Sequence, residues 1–249
     1  ITAVDSHNQP VENAQIQVNA HAGGRLFDVQ TTGNAGNVTC RLPATDLTIT
    51  ARWQDILVNT TTAYQLTGDG NLVLQCSVYY LSMTAVDSRG VAIQSATIKT
   101  CFAGAGKLLD VKTTDYDGKA VSRLPAADIC IEVYWQDVLV NDTEVYALSL
   151  DSDLTLNCRV YYLDILCVDS RSAPLDDAYV RVSLVGGRLV ESPRTNETGI
   201  VTVRVPVGSV NVSVTWLNVP VADVAGHMVE DDHLLTVSCS VFYLDVRVT

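Results

Sequence analysis

Three groups of residues in this chain have types and spacings that could support chemistry: seven cysteines, four histidines, and a Val-Asp-Ser triplet at residues 4–6, 86–88 and 168–170. A hydrolytic triad needs a nucleophile, a base and an orienting acid within reach of one another. His7, His21, His227 and His233 occupy non-equivalent places, and no nucleophile elbow or metalloprotease motif accompanies them. They read as solvated loop residues. No Cys-x2-Cys or His-x3-His spacing occurs, which argues against a zinc site. A triplet that occurs three times is better suited to structure than to catalysis. Asp5, Asp87 and Asp169 are therefore expected to accept backbone hydrogen bonds in the turn that follows a strand. Acidic loops at Asp69, at Asp151 and Asp153, at Glu230–Asp232 and at Asp115–Gly118 match no calcium-loop spacing and read as solvated turns. An enzyme is not expected, and no cofactor or metal is.

A second chemistry is covalent modification. Asn-x-Ser/Thr sequons stand at Asn37, Asn59, Asn141, Asn196 and Asn211, and together with the cysteines they point to an exported glycoprotein. The competing reading is that a Thr-rich β protein generates sequons by accident. A net charge of −12 repels phosphate backbones, so nucleic acid is not an expected partner. No apolar run is long enough for a membrane span. No signal peptide is visible, which leaves a removed leader or an excerpt of a longer protein.

The elements that must position these residues are repeated. Val-Asp-Ser, Arg41-Leu42-Pro43, Trp53-Gln54-Asp55 and Cys76-Ser77-Val78-Tyr79-Tyr80-Leu81 all recur at offsets of 82 and then 81 or 82. Within each copy the hydrophobic period is two, as in Ala14–Val18 and Val210–Trp216, which marks strands with one buried face. Hydrophobic residues make up 47% of the chain, enough to fill a core in each copy. The expectation is an all-β chain of three tandem Ig-like β-sandwich domains at residues 1–81, 82–163 and 164–244. They join without linkers into a stiff rod, and an extra strand follows at 245–249.

The frame Val-Asp-Ser-x-x-x-Pro-x-x-x-Ala-x-(Ile/Val) stands at Val4–Ile16 and Val168–Val180, with Ala92 in place of proline in the second copy. Thr-rich glycine turns at 32–36, 114–118 and 195–199 follow, each leading to a strand that ends in Leu/Val-Pro. This resembles the carboxypeptidase regulatory-like, or transthyretin-like (prealbumin), β-sandwich superfamily over all three copies. The resemblance implies a prealbumin-type sandwich used as a spacer, stalk or adhesive unit of surface proteins. None of the catalytic partners of that superfamily is present.

Strand parity sorts the cysteines. Cys76, Cys158, Cys239, Cys40 and Cys167 share phase with core residues, whereas Cys101 and Cys130 are out of phase and unique to the second copy. The expected disulfides are Cys101–Cys130, Cys40–Cys76 and Cys167–Cys239, with Cys158 left as a buried free thiol. The alternative is that the inward cysteines are reduced small hydrophobes. Parity also places all three tryptophans, with Tyr80, Tyr162 and Tyr243, in core phase. It turns Tyr79, Tyr161 and Phe242 outward at the junctions, where the first two are expected to contact the next domain.

Asp245–Thr249 matches the opening strand of a further copy and then stops. An unpaired apolar strand seeks a sheet edge. The expectation is a filament or cell-surface subunit that polymerises with itself head to tail, donating this strand, with Phe242, Val246 and Val248 at the subunit interface. A non-polymerising stalk or adhesin segment of a longer extracellular repeat protein is the alternative.

Overall fold

The structure is a computed structural model that describes residues 1–248; Thr249, part of the expected donor strand, lies outside them. The fold is all-β, with sandwich-like pairs of sheets, and all its regular elements among the described residues are strands. The first group is β1 (Thr2–Val4), β2 (Gln15–Ala20), β3 (Leu26–Thr31), β4 (Asp46–Trp53), β5 (Ile56–Gln65) and β6 (Val73–Gln75). The second is β7 (Val78–Val86), β8 (Thr97–Phe102), β9 (Lys107–Thr113), β10 (Lys119–Pro125), β11 (Ala127–Trp135), β12 (Val138–Leu148) and β13 (Ser152–Asn157). The third is β14 (Val160–Val168), β15 (Tyr179–Leu184), β16 (Leu189–Glu191), β17 (Ile200–Pro206), β18 (Gly208–Trp216), β19 (Val219–Val229) and β20 (His233–Ser238).

Each group has a four-stranded antiparallel sheet, ordered β3-β2-β4-β5, β12-β11-β8-β9 and β16-β15-β18-β19. The facing sheets are β10-β7-β13 and β17-β14-β20, but only β1-β6 in the first group. Alternation fills the space between the layers. In the second group, Leu81 and Met83 of β7, Leu124 of β10 and Leu156 of β13 meet Ile98, Ile129, Ile131 and Val133 from the other sheet, all fully or nearly fully buried. Two further clusters of the same kind form the other cores.

The positions expected to separate the repeats, 81/82 and 163/164, lie inside β7 and β14. Val78 packs in the first core, while Leu81, Met83 and Ala85 of the same strand pack in the second. One strand therefore serves two repeats, and β14 does the same between the second and third.

Two buried devices recur in every copy. Thr32, Thr114 and Thr195 each donate a hydroxyl hydrogen bond of 2.6 Å, to the carbonyls of Val11, Ile93 and Leu175. Each also accepts one from the amide of Ala14, Ala96 or Ala178. Gly36, Gly118 and Gly199 have φ of 68°, 70° and 72°. A Cβ there would come within 2.6–2.8 Å of the carbonyl oxygens of Ala3, Ala85 and Cys167, so both the conformation and the space require glycine.

Candidate functional site at the repeat junctions

Polar chemistry concentrates where one repeat meets the next. Asp5 is buried, and its Oδ1 accepts the amides of His7 (2.9 Å) and Gln9 (2.8 Å), the turn expected from the sequence. Its other oxygen is the centre of the junction. Oδ2 accepts the Tyr80 hydroxyl at 2.9 Å and stands 2.7 Å from Nε of Arg123, a residue of the second repeat. The Nε–H is not aligned for a hydrogen bond, so this contact is an ion pair. Arg123 Nη2 donates to the carbonyls of Gln9 (3.3 Å) and Pro10 (2.9 Å), and its guanidinium lies 5.6 Å from the ring of Trp53.

The second junction repeats this set. Asp87 Oδ2 accepts the Tyr162 hydroxyl (2.8 Å) and pairs with Arg204 Nε (2.8 Å). Arg204 Nη2 donates to the carbonyls of Val91 and Ala92 at 3.1 Å and lies 5.6 Å from the ring of Trp135. Burial, and then the hydrogen bond to the aspartate, push both tyrosine pKa values up, so the phenols stay protonated and donate.

A second acid clasps each junction from the opposite repeat. Asp151 Oδ1 accepts the Tyr80 amide (2.8 Å) and the Ser6 hydroxyl (2.9 Å), and Oδ2 pairs with His7 Nε2 at 2.8 Å. His7 stacks on Tyr80 with centroids 4.3 Å apart. Asp232 likewise accepts from Ser88 (2.7 Å) and the Tyr162 amide (3.0 Å) and pairs with Arg89 Nε (2.8 Å), whose guanidinium lies 3.9 Å from the ring of Tyr162. In both acids burial raises the carboxyl pKa, but these hydrogen bonds outweigh it and the net shift is downward. The reading of Asp151 and Asp232 as solvated turns is corrected; His7 is an exposed turn residue, as expected, and has Asp151 and Tyr80 as partners. Their partners lie in a neighbouring repeat, beyond what local sequence displays. Outer contacts complete the junctions: Lys107 pairs with Asp55, and Arg188 with Asp137.

The three tryptophans pack against the cores of their own repeats, as their phase implies, whereas Tyr80 and Tyr162 turn to the junctions. Trp53, Trp135 and Trp216 are half-buried at the ends of the repeats, and the indoles of Trp53 and Trp216 donate to the carbonyls of Glu12 and Asp176 at 3.1 Å. Tyr79 packs against the second core and Tyr161 against the third, as expected.

The first and third repeats each carry the residues of one further half-junction. At the far end, Asp169 Oδ2 accepts the Tyr243 hydroxyl at 2.5 Å, and Arg171 stands 3.8 Å from the Tyr243 ring. The Tyr243 hydroxyl first, and the amides of Ala173 and Arg171 with it, hold the Asp169 carboxyl below its usual range. Among the described residues beyond Val241 there is no strand, and Phe242, Leu244, Val246 and Val248 are 76%, 87%, 76% and 96% exposed. At the near end, Val38 exchanges backbone hydrogen bonds with Ile1, and residues 39–43, which align with β10, form no strand. A cavity of about 560 Å³ opens there, lined by Ile1, Val38, Cys40, Leu42, Leu66 and Leu72 among others.

Cys130 and Cys101 are directly opposed on β11 and β8 and are joined by a disulfide. The other expected bridges are corrected: Cys40, Cys76, Cys167 and Cys239 are free thiols, as is Cys158. Cys40 packs against the first core near Asp28, as parity implies, but is not bonded to Cys76, whose Sγ donates to Leu74 in the core. Cys167 and Cys239 are neighbouring free thiols, and Cys239 Sγ donates to the Val237 carbonyl. Burial pushes Cys158 and Cys167 up to about 12.

Among the sequons, Asn37 and Asn196 are exposed on turns, and Asn196 Oδ1 accepts the amides of Thr198 and Ile200 at 3.0 Å. Asn59 and Asn141 use the amide nitrogen that would carry a glycan, donating to the carbonyls of Gln75 and Asn157 at 2.8 Å. Asn211 Oδ1 accepts the Gly226 amide at 2.8 Å. His227 and His233 meet with their Nε2 atoms 2.8 Å apart, and His21 contacts Thr48. No group of three or more metal-ligating side chains occurs among the described residues, and no helix there is long and apolar enough to cross a membrane.

No family model matches the chain, and no curated protein does. Solved structures similar to it include the TIE protein of Bacillus anthracis, at 17% identity and TM-score 0.33, over 96% of this chain and 49% of that one. The chain thus spans about half of the TIE protein's length. The minor pilin GBS52 of Streptococcus agalactiae is similar at 12% identity and TM-score 0.34, over 69% of this chain and 100% of that one. The shaft pilin SpaA of Lactobacillus rhamnosus GG is similar at 8% identity and TM-score 0.35, over 67% and 100%. At this level of likeness none assigns the chain a function.

Proposed function

We propose that this chain is a structural subunit of an extracellular filament or cell-surface assembly, a rod of β-sandwich repeats that joins copies of itself head to tail by β-strand addition. The observation that carries the reading is the strand that each internal junction shares between two repeats. Each internal junction places one strand, β7 or β14, into the sheet of the following repeat, in register with β10 or β17 on one side and β13 or β20 on the other. The first repeat has the groove without this strand, and residues 242–248 are an exposed segment of the matching sequence.

Repeat register refines the donor. Val241–Asp245 corresponds to Val78–Ser82, the part of β7 that has no counterpart in the first repeat, so Leu244 takes the place of fully buried Leu81. Val246 and Val248 correspond to Ile1 and Ala3, which already hold their positions. The donor is therefore 241–245 rather than 245–249, with Phe242 at its interface and Val246 and Val248 at its margin. Burying Leu244 contributes about 1.5–3 kcal/mol. Glycans, if carried, belong on the exposed turns at Asn37 and Asn196.

Sedimentation and negative-stain microscopy over a concentration series test this. Concentration-dependent linear assemblies that Leu244→Asp abolishes are expected. A monomer at all concentrations sinks the reading and favours the alternative, a stalk in which a repeat of the same polypeptide fills the groove.

A further inference from the structure

The strand is apolar and would enter any groove of suitable width; something must select the partner and fix its register. We propose that Arg41 and Asp69 of one copy form a polar clasp on the Asp169–Arg171–Tyr243 end of a second copy, and that this clasp is the specificity determinant of the head-to-tail contact. The inference rests on the assembly reading above and adds the residues that make it selective.

Repeat equivalence carries it. Arg123 and Arg204, the arginines that enter the internal junctions, align with Arg41 at offsets of 82 and 163. Asp151 and Asp232, the acids that clasp from the following repeat, align with Asp69 at the same two offsets. In the first repeat Arg41 and Asp69 are both exposed, and both border the open groove. Their two acceptor sets align with residues of the third repeat. Asp169 stands for Asp5 and Asp87, Ser170 for Ser6 and Ser88, Arg171 for His7 and Arg89, and Tyr243 for Tyr80 and Tyr162. The carbonyls of Ala173 and Pro174 stand where those of Gln9 and Pro10 receive Arg123, and Trp216 stands where Trp53 does.

The receiving half is already set. The Tyr243 hydroxyl is on Asp169, and Arg171 covers the Tyr243 ring at 3.8 Å, close to the 3.9 Å of Arg89 on Tyr162 in the occupied junction. A second copy then adds Arg41 to Asp169 and Asp69 to Ser170, Arg171 and the Tyr243 amide. One internal contact has no counterpart. Arg25 aligns with Lys107 and Arg188, but Asn218 replaces Asp55 and Asp137, so the outer ion pair is missing at this interface.

That difference supplies a control. Sedimentation of the full chain measures the association constant for wild type, Arg41→Glu, Asp69→Asn, Arg25→Met and Leu244→Asp. Placing a glutamate opposite buried Asp169, or leaving the Arg171 end without its acid, is expected to weaken association about 30-fold or more. Arg25→Met should stay within about threefold. All the substituted positions are exposed, and circular dichroism confirms that each variant is folded. If Leu244→Asp abolishes assembly but Arg41→Glu and Asp69→Asn leave it unchanged, the clasp is wrong and strand addition stands. If wild type does not associate, the assembly reading itself fails.

Discussion

Asp5 and Arg123 belong to different repeats, yet a carboxylate oxygen that solvent does not reach stands 2.7 Å from the guanidinium Nε. Removing the arginine would leave a buried aspartate held only by two amides and one phenol. Arg123→Met and Arg204→Met are each expected to cost about 3 kcal/mol, the low end for breaking a buried pair because both arginines are partly exposed. Urea unfolding followed by tryptophan fluorescence checks this. Coincident wild-type and variant midpoints would show that the junction ion pairs contribute nothing.

The buried threonines act within single repeats. Thr114→Val keeps shape but strands the Ala96 amide and the Ile93 carbonyl. A loss of about 1–3 kcal/mol is expected, confined to the second repeat. Hydrogen exchange at the Ala96 amide reads the loss locally; protection equal to wild type would contradict it.

Two glycines separate backbone strain from steric conflict. Gly90 has φ of 75° with nothing near its absent Cβ, whereas a Cβ on Gly118 would stand 2.7 Å from the Ala85 carbonyl. Gly90→Ala should cost about 1 kcal/mol. Gly118→Ala should cost clearly more, and thermal unfolding of the two variants side by side decides whether the order is right.

Acid should act in two stages. Burial, with His233 beside it, lowers the His227 pKa, so the unfolded chain takes up protons first and stability falls as pH drops below about 6.5. The net downward shifts of Asp151 and Asp232 act in the same direction, but at lower pH. Their contribution is present above the usual carboxylate range and is lost only below about pH 4. Calorimetry at about pH 7.5, 5.5 and 3.5 should show the first loss in wild type and not in His227→Gln. Identical pH profiles would remove His227 from the account.

Thiol counting tests the cysteine assignments. Burial holds Cys76 at about 11 and Cys158 and Cys167 at about 12, so iodoacetamide should not modify them in the native protein near neutral pH. Unfolding without reductant should release five reactive thiols. Three would mean that Cys167 and Cys239 are joined after all.

Much of the fold was legible because the period-two pattern and the repeat offsets are local or self-referential. Val-Asp-Ser announced its turn, and Cys101 and Cys130 announced their pairing by being out of phase. The junction chemistry was not legible in the same way. Arg41-Leu42-Pro43 and its copies looked like strand-end markers, and the acidic loops looked solvated, because each residue's partner lies in the adjacent repeat. Parity also failed at Tyr80. Between Val78 and Leu81 the strand passes from one core to the next; Tyr79 packs against the second core and Tyr80 turns to Asp5 at the seam.

That shared strand has a mechanical consequence. Tension along the chain is carried through β7 and β14 themselves, with no linker between these repeats to stretch first. Each is flanked by a parallel strand and an antiparallel one, pairing over six and seven positions. A pull along the strand therefore strains those hydrogen bonds together rather than peeling them apart one at a time, and a repeat yields only when its whole ladder slips. Such a chain transmits load as a tie bar does, with its strongest direction along its length.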